Sequence, residues 1–449
     1  MESLLDDEIR ECLEGVIPVA LATCAADGTP NVTYVSQAHF VDARHIALSY
    51  QFFNKTRENI LANPRAAVAV INPATGARYH LDIEYLHTES SGPLFESMKA
   101  KLAGIASHTG MAGVFHLRGS DVYRVLNIEC VQPTQLRKAP APWNHLTAVR
   151  ALADQLGRCK DLNAVFETVL AGLSQHLGIR HAMILMLDAQ GLRLFTVASC
   201  GYPQSGVGSE MAVGCGVIGV AGEQRTPIRI SHLSSDYTYS RAIRESAERA
   251  GLGAQLETAI PFPGLADSRS QLAVPMCAGG RLVGALYVES PEDMRFSHRD
   301  EDALVAIASQ MAAACLALHD DHPDVEAGPK PPAATVPPGA ARVIVRHFAA
   351  DDSVFLGDEY LIKGVAGAIL ASLVRAHVRD ERVDFTNREL RLDASLKLPD
   401  LGDNLEARLV LLQRRLAERS PHLRIEKTGR GRFRLRVDGT VSLVEMPVS

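Results

Sequence analysis

A run of polar and positively charged side chains occupies residues 54–59, which read Asn-Lys-Thr-Arg-Glu-Asn. The asparagine, lysine, threonine and arginine side chains all donate hydrogen bonds, and two of them carry a positive charge. A phosphate group fits such a turn, because its oxygens accept charge-assisted hydrogen bonds. The sequence therefore predicts an anion-binding turn at this position.

The elements that must position this turn are short β-rich segments joined by tight turns. Residues 19–23, 31–36 and 46–50 are such segments, and Asp27-Gly28 forms a turn between the first two. Segments of this length and spacing predict a small antiparallel barrel. The turn at residues 54–59 would then lie at the mouth of the barrel.

The order of these elements resembles the FMN-binding split barrel of the pyridoxamine-phosphate-oxidase-like families, over roughly the first 130 residues. In those families a strand precedes a Ser-x-Lys-x-x-Asn-Leu-x-x-x-Pro signature, which holds the flavin phosphate. Thr56 stands where many members carry the phosphate-binding lysine, and the adjacent Lys55 is the candidate substitute.

This resemblance implies FMN as the cofactor and a homodimer whose flavin sites use both chains. FAD, an F420-like flavin, haem and an empty barrel are the alternatives. The cofactor-binding residues that it implies are Thr33, Ser49, Tyr50, Asn54, Lys55, Thr56 and Asn59.

Length and composition exclude several classes of protein. A chain of 449 residues is too long for one core, and 47% hydrophobic with 22% charged residues is typical of globular domains. The acidic start lacks the basic region of a secretory signal, and no apolar run approaches the roughly 20 residues of a membrane span. The eight cysteines show no C-x-x-C spacing, which predicts reduced thiols without a metal site. We therefore predict a cytoplasmic protein with no membrane partner.

Two proline-containing linkers divide the chain. Residues 131–143 hold three prolines, and residues 321–340 hold six prolines with almost no large apolar side chain. Such a stretch cannot bury enough surface to fold and favours an extended spacer. The predicted fold class is multidomain α+β, with domains at residues 1–130, 144–320 and 341–449.

The middle domain mixes helical and strand patterns. Apolar residues recur at helical spacing over 146–156 and 162–177, and hairpins are predicted at 182–197 and 272–288. Ser297-His-Arg-Asp300 announces the last helix as a start of capping-box type.

That succession resembles a GAF domain, the small-molecule sensory module of bacterial signalling proteins. The match lies in residues 214–219 (Gly-Cys-Gly-Val-Ile-Gly), 227–230, 234–239 and 272–288. The resemblance leaves the ligand open among cyclic nucleotides, haem, bilins, 2-oxoacids and none. The long segment at residues 237–270 would cover the pocket as a lid. The candidate ligand contacts are His232, Tyr237, Tyr239 and Arg241, with solvated loop residues as the alternative interpretation.

The C-terminal domain reads as three helices followed by a hairpin. The helices are predicted near residues 365–374, 387–392 and 404–416, and the hairpin strands at 423–425 and 432–437. In the third helix, Leu405, Leu409, Leu412 and Leu416 project within about 40° of one another and form the predicted core stripe. A basic, glycine-rich turn joins the two strands, as in a wing.

Three helices and a wing resemble the winged helix of the response-regulator DNA-binding class, whose third helix enters the major groove. Residues 403–436 hold ten basic and four acidic side chains, an excess of 10 − 4 = +6 on a chain of net charge −6. Segregated positive charge of this kind is expected where a protein contacts phosphates. The predicted DNA contacts are Arg408, Arg414, Arg415, Lys427, Arg430 and Arg432, with Arg414 facing the bases.

The face opposite the leucine stripe also carries Val410 and Leu411, at positions that are commonly polar or basic in that class. Apolar side chains can contact thymine methyl groups. An exposed pair of this kind can equally mark a surface for a protein partner or for self-association. The sequence leaves both open.

Two functions of different class follow. In the first, the chain is a one-component regulator in which two sensory domains control a DNA-binding domain, and dimerisation pairs the DNA readers. In the second, the barrel is a flavin- or haem-dependent oxidoreductase with regulatory attachments. Residues 1–130 show no recognisable acid, base or nucleophile arrangement, although flavin chemistry needs little from the protein.

Overall fold

The computed structural model describes residues 5–13, 17–51, 55–108, 117–133, 143–188, 190–231, 260, 262–320, 342–393, 396, 405–429 and 431–446. The Pro-rich linker at 321–340 and most of the predicted lid at 237–270 lie outside this part of the chain.

The first domain is a seven-stranded antiparallel sheet wrapped around one apolar core. Its strands hydrogen-bond in the order β2-β1-β5-β6-β7-β4-β3. Strand β1 alternates buried and half-buried residues, as expected for a strand with one face on a core. Strand β7 continues through Val131 and Gln132, so the first two residues of the predicted linker belong to the sheet. The elements are α1 (Asp7–Cys12), β1 (Val19–Cys24), β2 (Pro30–Val35), β3 (Ala38–Asp42), β4 (His45–Tyr50), α2 (Lys55–Ala62), β5 (Arg65–Ile71), β6 (Arg78–Glu89), α3 (Pro93–His108) and β7 (Gly119–Gln132).

The middle domain is an antiparallel sheet between two helical layers. Its strands follow the order β10-β9-β8-β13-β12-β11, and both predicted hairpins, β8–β9 and β12–β13, are confirmed. Helices α4, α5 and α7 cover one face, and α6 covers the other. The elements are α4 (His145–Leu156), α5 (Leu162–Leu177), β8 (His181–Leu187), β9 (Arg193–Cys200), β10 (Glu210–Ala212), α6 (Gly216–Gln224), β11 (Ile228–Ile230), β12 (Ser270–Ala278), β13 (Arg281–Ser290) and α7 (His298–Asp320).

Helix α7 begins at the capping box that the sequence predicted. The Ser297 main-chain N–H donates to Asp300 Oδ2 at 2.9 Å, and the Asp300 N–H donates to Ser297 Oγ at 3.4 Å. By length and composition alone, residues His298–Leu318 of this helix could cross a membrane, contrary to the sequence prediction. In the structure, Leu304, Ile307 and Met311 of this helix are buried in the core of the middle domain.

The C-terminal domain contains the predicted three helices and hairpin in the predicted order. A four-stranded sheet (β16-β15-β14-β20) precedes and follows them in the chain, with β14 and β20 parallel, and the hairpin belongs to a three-stranded sheet (β17-β19-β18). A capping box between Thr386 and Glu389 starts the short second helix. The elements are β14 (Arg342–Phe348), β15 (Ser353–Leu356), β16 (Glu359–Ile362), α8 (Gly364–Asp380), β17 (Asp384–Thr386), α9 (Asn387–Leu392), α10 (Leu405–Arg419), β18 (Leu423–Gly429), β19 (Arg432–Val437) and β20 (Thr440–Met446).

The burial of α10 corrects the predicted division of its faces. Leu405, Leu412 and Leu416 are buried as expected, whereas Leu409 is only half-buried. Val410 and Leu411 were expected on the exposed face but are 8% and 2% exposed. The reason is that α10 packs against β9 and α5 of the middle domain, so that one apolar core runs through both domains.

Gly284 of β13 tests the packing of the middle sheet. A Cβ atom added there would collide with the main-chain oxygen of Leu185 on β8, so Gly284→Ala should destabilise this domain by about 1–3 kcal/mol. Urea unfolding followed by the fluorescence of Trp143, the only tryptophan, measures this, because its ring packs on Gly178 of the same domain. Gly157→Ala is the control, since its added Cβ would lie 3.6 Å from the nearest atom. Equal midpoints for the two variants would contradict the packing.

Candidate functional site

The predicted anion-binding turn is the start of α2, and its side chains have two different surroundings. Lys55 is exposed, whereas Thr56 and Asn59 are 8% and 4% exposed. Asn31 Nδ2 donates a hydrogen bond to Thr56 Oγ1 at 2.9 Å, and Asn59 Nδ2 donates to Thr23 Oγ1 at 3.1 Å. Thr56 and Asn59 therefore tie α2 to the sheet, while Lys55 presents its charge to solvent.

Arg57 of the same helix anchors a buried cluster. Its Nη1 donates to Asp121 Oδ1 at 2.6 Å, and its Nη2 donates to Thr88 Oγ1 at 2.8 Å. The guanidinium also lies over the rings of Tyr50 and Tyr85, at 4.6 and 5.4 Å from their centroids. The Arg57 and Asp121 side chains are 12% and 7% exposed, so this is an ion pair largely withdrawn from water.

Burial and charge act against each other in this pair. Burial raises the pKa of the Asp121 carboxyl above its ordinary value, and the hydrogen bond from Thr88 and the charge of Arg57 only partly offset it. Burial also opposes the charge on Arg57, but Asp121 and Tyr85 outweigh it and raise the pKa of the guanidinium. Each charge therefore depends on its neighbours, and removing one partner leaves the other buried and uncompensated.

Three buried polar residues and the half-buried Ser49 form what we call the polar cradle, beside β4: Gln37, Ser49, Gln51 and Ser120. Gln37 is 1% exposed, and neither its amide nitrogen nor its amide oxygen has a hydrogen-bond partner among the described residues. The same holds for Ser120 Oγ and Gln51 Oε1. The Ser49 N–H donates to the Gln37 main-chain oxygen at 3.0 Å, and Ser49 pairs with Ser120 across β4 and β7. Buried polar groups without partners are rare unless a ligand or water completes them.

These residues fit the chemistry of a flavin. A flavin nucleotide carries a phosphate, which suits the exposed ammonium of Lys55, and a ring edge of alternating donors and acceptors, which suits the polar cradle. Tyr50 lies beneath the Arg57 guanidinium, and Thr33 is half-buried on β2. Asn54 lies outside the described residues.

The face of the middle sheet beneath α6 is apolar and ends in a buried carboxylate. Met183, Leu185 and Leu194 belong to its apolar cluster. Glu289 is 2% exposed and accepts hydrogen bonds from the Leu265 N–H at 3.0 Å and from the Tyr287 hydroxyl at 3.2 Å. This face could therefore hold a ligand that is largely apolar with a polar end. The four predicted ligand contacts, His232, Tyr237, Tyr239 and Arg241, lie outside the described residues.

A cavity of ≈ 680 Å³ lies at the junction of the barrel and the middle domain. Its walls include Glu11 of the barrel and Trp143, Arg180 and Asp300 of the middle domain. Arg10 of α1 forms a bidentate ion pair with Asp302 of α7, in which Nη1 lies 2.8 Å from Oδ2. The cavity wall carries charges of both signs and does not specify a ligand.

Four of the six predicted DNA contacts lie where the C-terminal domain meets the middle domain. The Arg408 guanidinium lies 3.7 Å from the centroid of the Phe195 ring on β9. Arg414 donates two hydrogen bonds to Asn163 Oδ1, at 2.8 and 3.1 Å, and burial lowers the pKa of its guanidinium. These two arginines of α10 therefore face another domain of the same chain.

The hairpin takes part in the same contact. Lys427 Nζ donates to Asp161 Oδ2 at 3.1 Å. Burial opposes the charge on Asp161, but hydrogen bonds from the Ala164 N–H and from Lys427 hold the pKa of this carboxyl below its ordinary value. Arg432 lines a crevice of ≈ 70 Å³ at this contact, together with Asn163.

The two remaining predicted contacts differ from these. Arg415 is buried within its own domain, where its Nε donates to the Leu361 main-chain oxygen at 2.9 Å. Arg430 lies outside the described residues.

The described residues contain no group of three or more histidine, cysteine or acidic side chains able to hold a metal ion. All eight cysteines are free thiols.

Sequence reasoning missed the partners of Arg57 and the polar cradle. Arg57 counted only as a charge in the turn, and Asp121 lies 64 positions away with no local signal. A glutamine such as Gln37 between two strands is ordinary in a sequence, and only burial without a partner distinguishes it.

The Arg57–Asp121 pair generates a stability prediction. Arg57→Met should cost the barrel about 3–5 kcal/mol, because it leaves a buried carboxylate without a counter-charge. Arg57→Met/Asp121→Leu should recover most of that loss. Burial raises the pKa of folded Asp121 and Arg57 lowers it, so the pKa should rise further when Arg57 is removed. Because the buried carboxyl must ionise as pH rises from 5 to 8, the loss in free energy of unfolding of the single variant should grow over that range. Urea unfolding at both pH values measures it, and equal stability of the single and double variants would contradict the pair.

Comparisons with known proteins match the barrel and the middle domain to two families. The family model described as pyridoxamine 5'-phosphate oxidase matches residues 5–125, and the GAF domain model matches residues 161–315. An uncharacterized protein from Methanocaldococcus jannaschii is 37% identical over 70 residues, which are 15% of this chain and 46% of that protein. The match thus spans less than half of that curated relative.

Two solved structures are similar to parts of the chain. The GAF domain of an Acinetobacter phosphoenolpyruvate-protein phosphotransferase is 18% identical, with a TM-score of 0.31, over 40% of this chain and 96% of that one. An FMN-binding protein from Syntrophomonas wolfei is 18% identical, with a TM-score of 0.25, over 29% of this chain and 87% of that one. By these family models, the N-terminal domain is a split barrel of the pyridoxamine 5'-phosphate oxidase type and the middle domain is a GAF domain.

Proposed function

We propose that this chain is a one-component regulator, in which the split barrel and the GAF domain sense a small molecule or a redox state and control DNA binding. The DNA-binding element is the C-terminal domain at residues 342–446, which we interpret as a winged helix. Two sensory modules followed by an effector form the simplest arrangement in which one chain both detects and responds.

The observation that carries this proposal is the order of elements in the C-terminal domain. Helices α8, α9 and α10 precede the β18–β19 hairpin, and a short strand, β17, pairs with the hairpin in a three-stranded sheet. A hairpin directly after the third helix is the arrangement of a winged helix, in which that helix reads the major groove. The +6 excess at residues 403–436 lies on α10 and the hairpin, where DNA phosphates would be contacted.

The barrel supplies the redox-sensing half of the proposal. When FMN is bound, it would supply electron-transfer chemistry, and the protein would supply binding and orientation. Lys55 would hold the phosphate, and Gln37 and Ser120 of the polar cradle would complete the ring edge.

A second copy of the chain is part of the proposal, because winged helices read paired half-sites as dimers. Strand β2 lies at the edge of the barrel sheet and exposes Val32 and Tyr34, which are 70% and 80% exposed. Exposed apolar side chains on an edge strand favour coverage by a partner. The barrels would then bring two C-terminal domains together.

FMN binding can be tested at Lys55. Lys55→Ala should weaken FMN binding by about 1.5–3 kcal/mol, the contribution of a hydrogen bond to a charged group. Flavin fluorescence quenching during titration measures the affinity, and Lys99→Ala, an exposed lysine on α3, is the control. Unchanged affinity in Lys55→Ala, or no FMN binding by the wild-type chain, would refute this site.

DNA binding can be tested through its salt dependence. The full chain should bind duplex DNA at low salt, and Arg432→Ala should weaken binding to all sequences and reduce the log–log salt slope by roughly 1. Fluorescence anisotropy of a labelled duplex at several salt concentrations gives the slope. Arg150→Ala, an exposed arginine on α4, should leave it unchanged. The proposal fails if no complex forms at low salt, even after Asp161→Ala removes the GAF contact to Lys427.

A further inference from the structure

The third helix of the C-terminal domain is covered by the GAF domain along the face that a winged helix presents to DNA. Arg408 of this helix stacks on Phe195, with the guanidinium carbon 3.7 Å from the ring centroid. Six residues further along, Arg414 donates two hydrogen bonds to Asn163 at the start of α5. Both arginines lie on α10, and both partners lie on the GAF domain.

The hairpin closes the same contact from the other side. Lys427 of β18 donates to Asp161, which is also the residue that caps α5 by accepting the Ala164 N–H at 2.9 Å. The N-terminus of α5 carries a partial positive charge, and Lys427 adds a second positive charge beside it. The Asp161 carboxylate lies between them and accepts a hydrogen bond from each. The α5 N-terminus thus contacts both the third helix and the hairpin.

The contact between α10 and the GAF domain buries apolar side chains in addition to its hydrogen bonds and ion pairs. Arg408 and Val410 are each 8% exposed and Leu411 is 2% exposed, although Val410 and Leu411 lie opposite the leucine stripe. The apolar core is continuous from the GAF sheet into the C-terminal domain. The apolar pair at 410 and 411, which suggested a protein partner, therefore has its cover within this chain.

We infer that the GAF domain holds the C-terminal domain in an autoinhibited state, in which α10 and the hairpin are docked on β9 and α5 and withdrawn from DNA. The inference rests on the proposed DNA-binding function. Three of the side chains that would contact DNA, Arg408, Arg414 and Lys427, are held by the GAF domain, so for them the two contacts exclude each other. DNA binding then requires the docked domain to release.

Strand β9 connects this contact to the sensory face of the GAF domain. Leu194 belongs to the apolar cluster beneath α6, whereas the next residue, Phe195, carries Arg408 on the opposite face. A ligand that shifts β9 from the α6 side would therefore change the surface on which α10 rests. Since packed interfaces switch between discrete arrangements, a small shift at this strand is enough to favour release.

The polar rim of the contact is partly accessible to water, which keeps release attainable. The Lys427 and Asp161 side chains are 46% and 32% exposed, and the Arg414 side chain is 21% exposed. Ion pairs at this exposure contribute modestly and weaken with salt. These polar contacts therefore orient the docked domain but add little to the free energy that must be overcome for release.

Substitutions at Asn163 test the inference, because this residue lies on the GAF domain and outside the DNA-binding surface. Asn163→Lys places a positive charge against Arg414 and should tighten DNA binding by the full chain, on the order of tenfold, by raising the undocked fraction. Asn163→Glu should strengthen docking and weaken DNA binding below that of the wild-type chain. Anisotropy of a labelled duplex at low salt measures the dissociation constants.

The control is Gln155, an exposed residue of α4 in the same domain. Gln155→Lys and Gln155→Glu change the charge of the chain equally and should leave DNA affinity near that of the wild type. If all five chains bind DNA equally, the autoinhibited state is refuted while the proposed function stands. If none of them binds DNA, the proposed function itself fails, and the inference fails with it.

Discussion

The packing of α10 against the GAF domain is the constraint on which the functional interpretation depends. A third helix of an isolated winged helix has one face for its own core and another for DNA. In this chain both faces of α10 are buried, the second through the contact of Arg408 with Phe195 and the burial of Leu411. A cation–π interaction is stronger when both groups are withdrawn from water, and Arg408 and Phe195 are both buried. The two domains consequently share one core instead of meeting at a wet interface.

The barrel is organised around a different kind of constraint. Arg57 and Asp121 form an ion pair withdrawn from water, supported by Thr88 and two tyrosine rings. Such a pair adds little net stability but strongly penalises the loss of either partner. It fixes the start of α2, and with it the position at which Lys55 faces solvent. The nearby polar cradle has the opposite character, because Gln37 has donors and acceptors that the described residues leave unused.

Sequence patterns predicted elements well wherever the signal is local. The short helix α9 was placed at Asn387–Leu392, and the capping box at Ser297 was read from four residues. Contacts between distant segments were not readable in this way. Thr56 and Asn59 hydrogen-bond to partners on β2 and β1 that no spacing rule connects to them.

The same limit explains the error on α10. Projection of the helix separated the leucine stripe from Val410 correctly, but it could not show that another domain covers the second face. A periodicity reports which side chains share a face and says nothing about what packs there. The +6 charge excess was likewise readable, whereas the pairing of Arg414 with Asn163 required the fold.

Hydrogen exchange of the main-chain amides of α10, measured by mass spectrometry on the full wild-type chain at low denaturant, tests the shared core most directly. If α10 and the GAF domain share one core, peptides from α10 and from α5 should open together, with similar free energies of opening. An α10 that exchanges rapidly while α5 stays protected would contradict the docked arrangement.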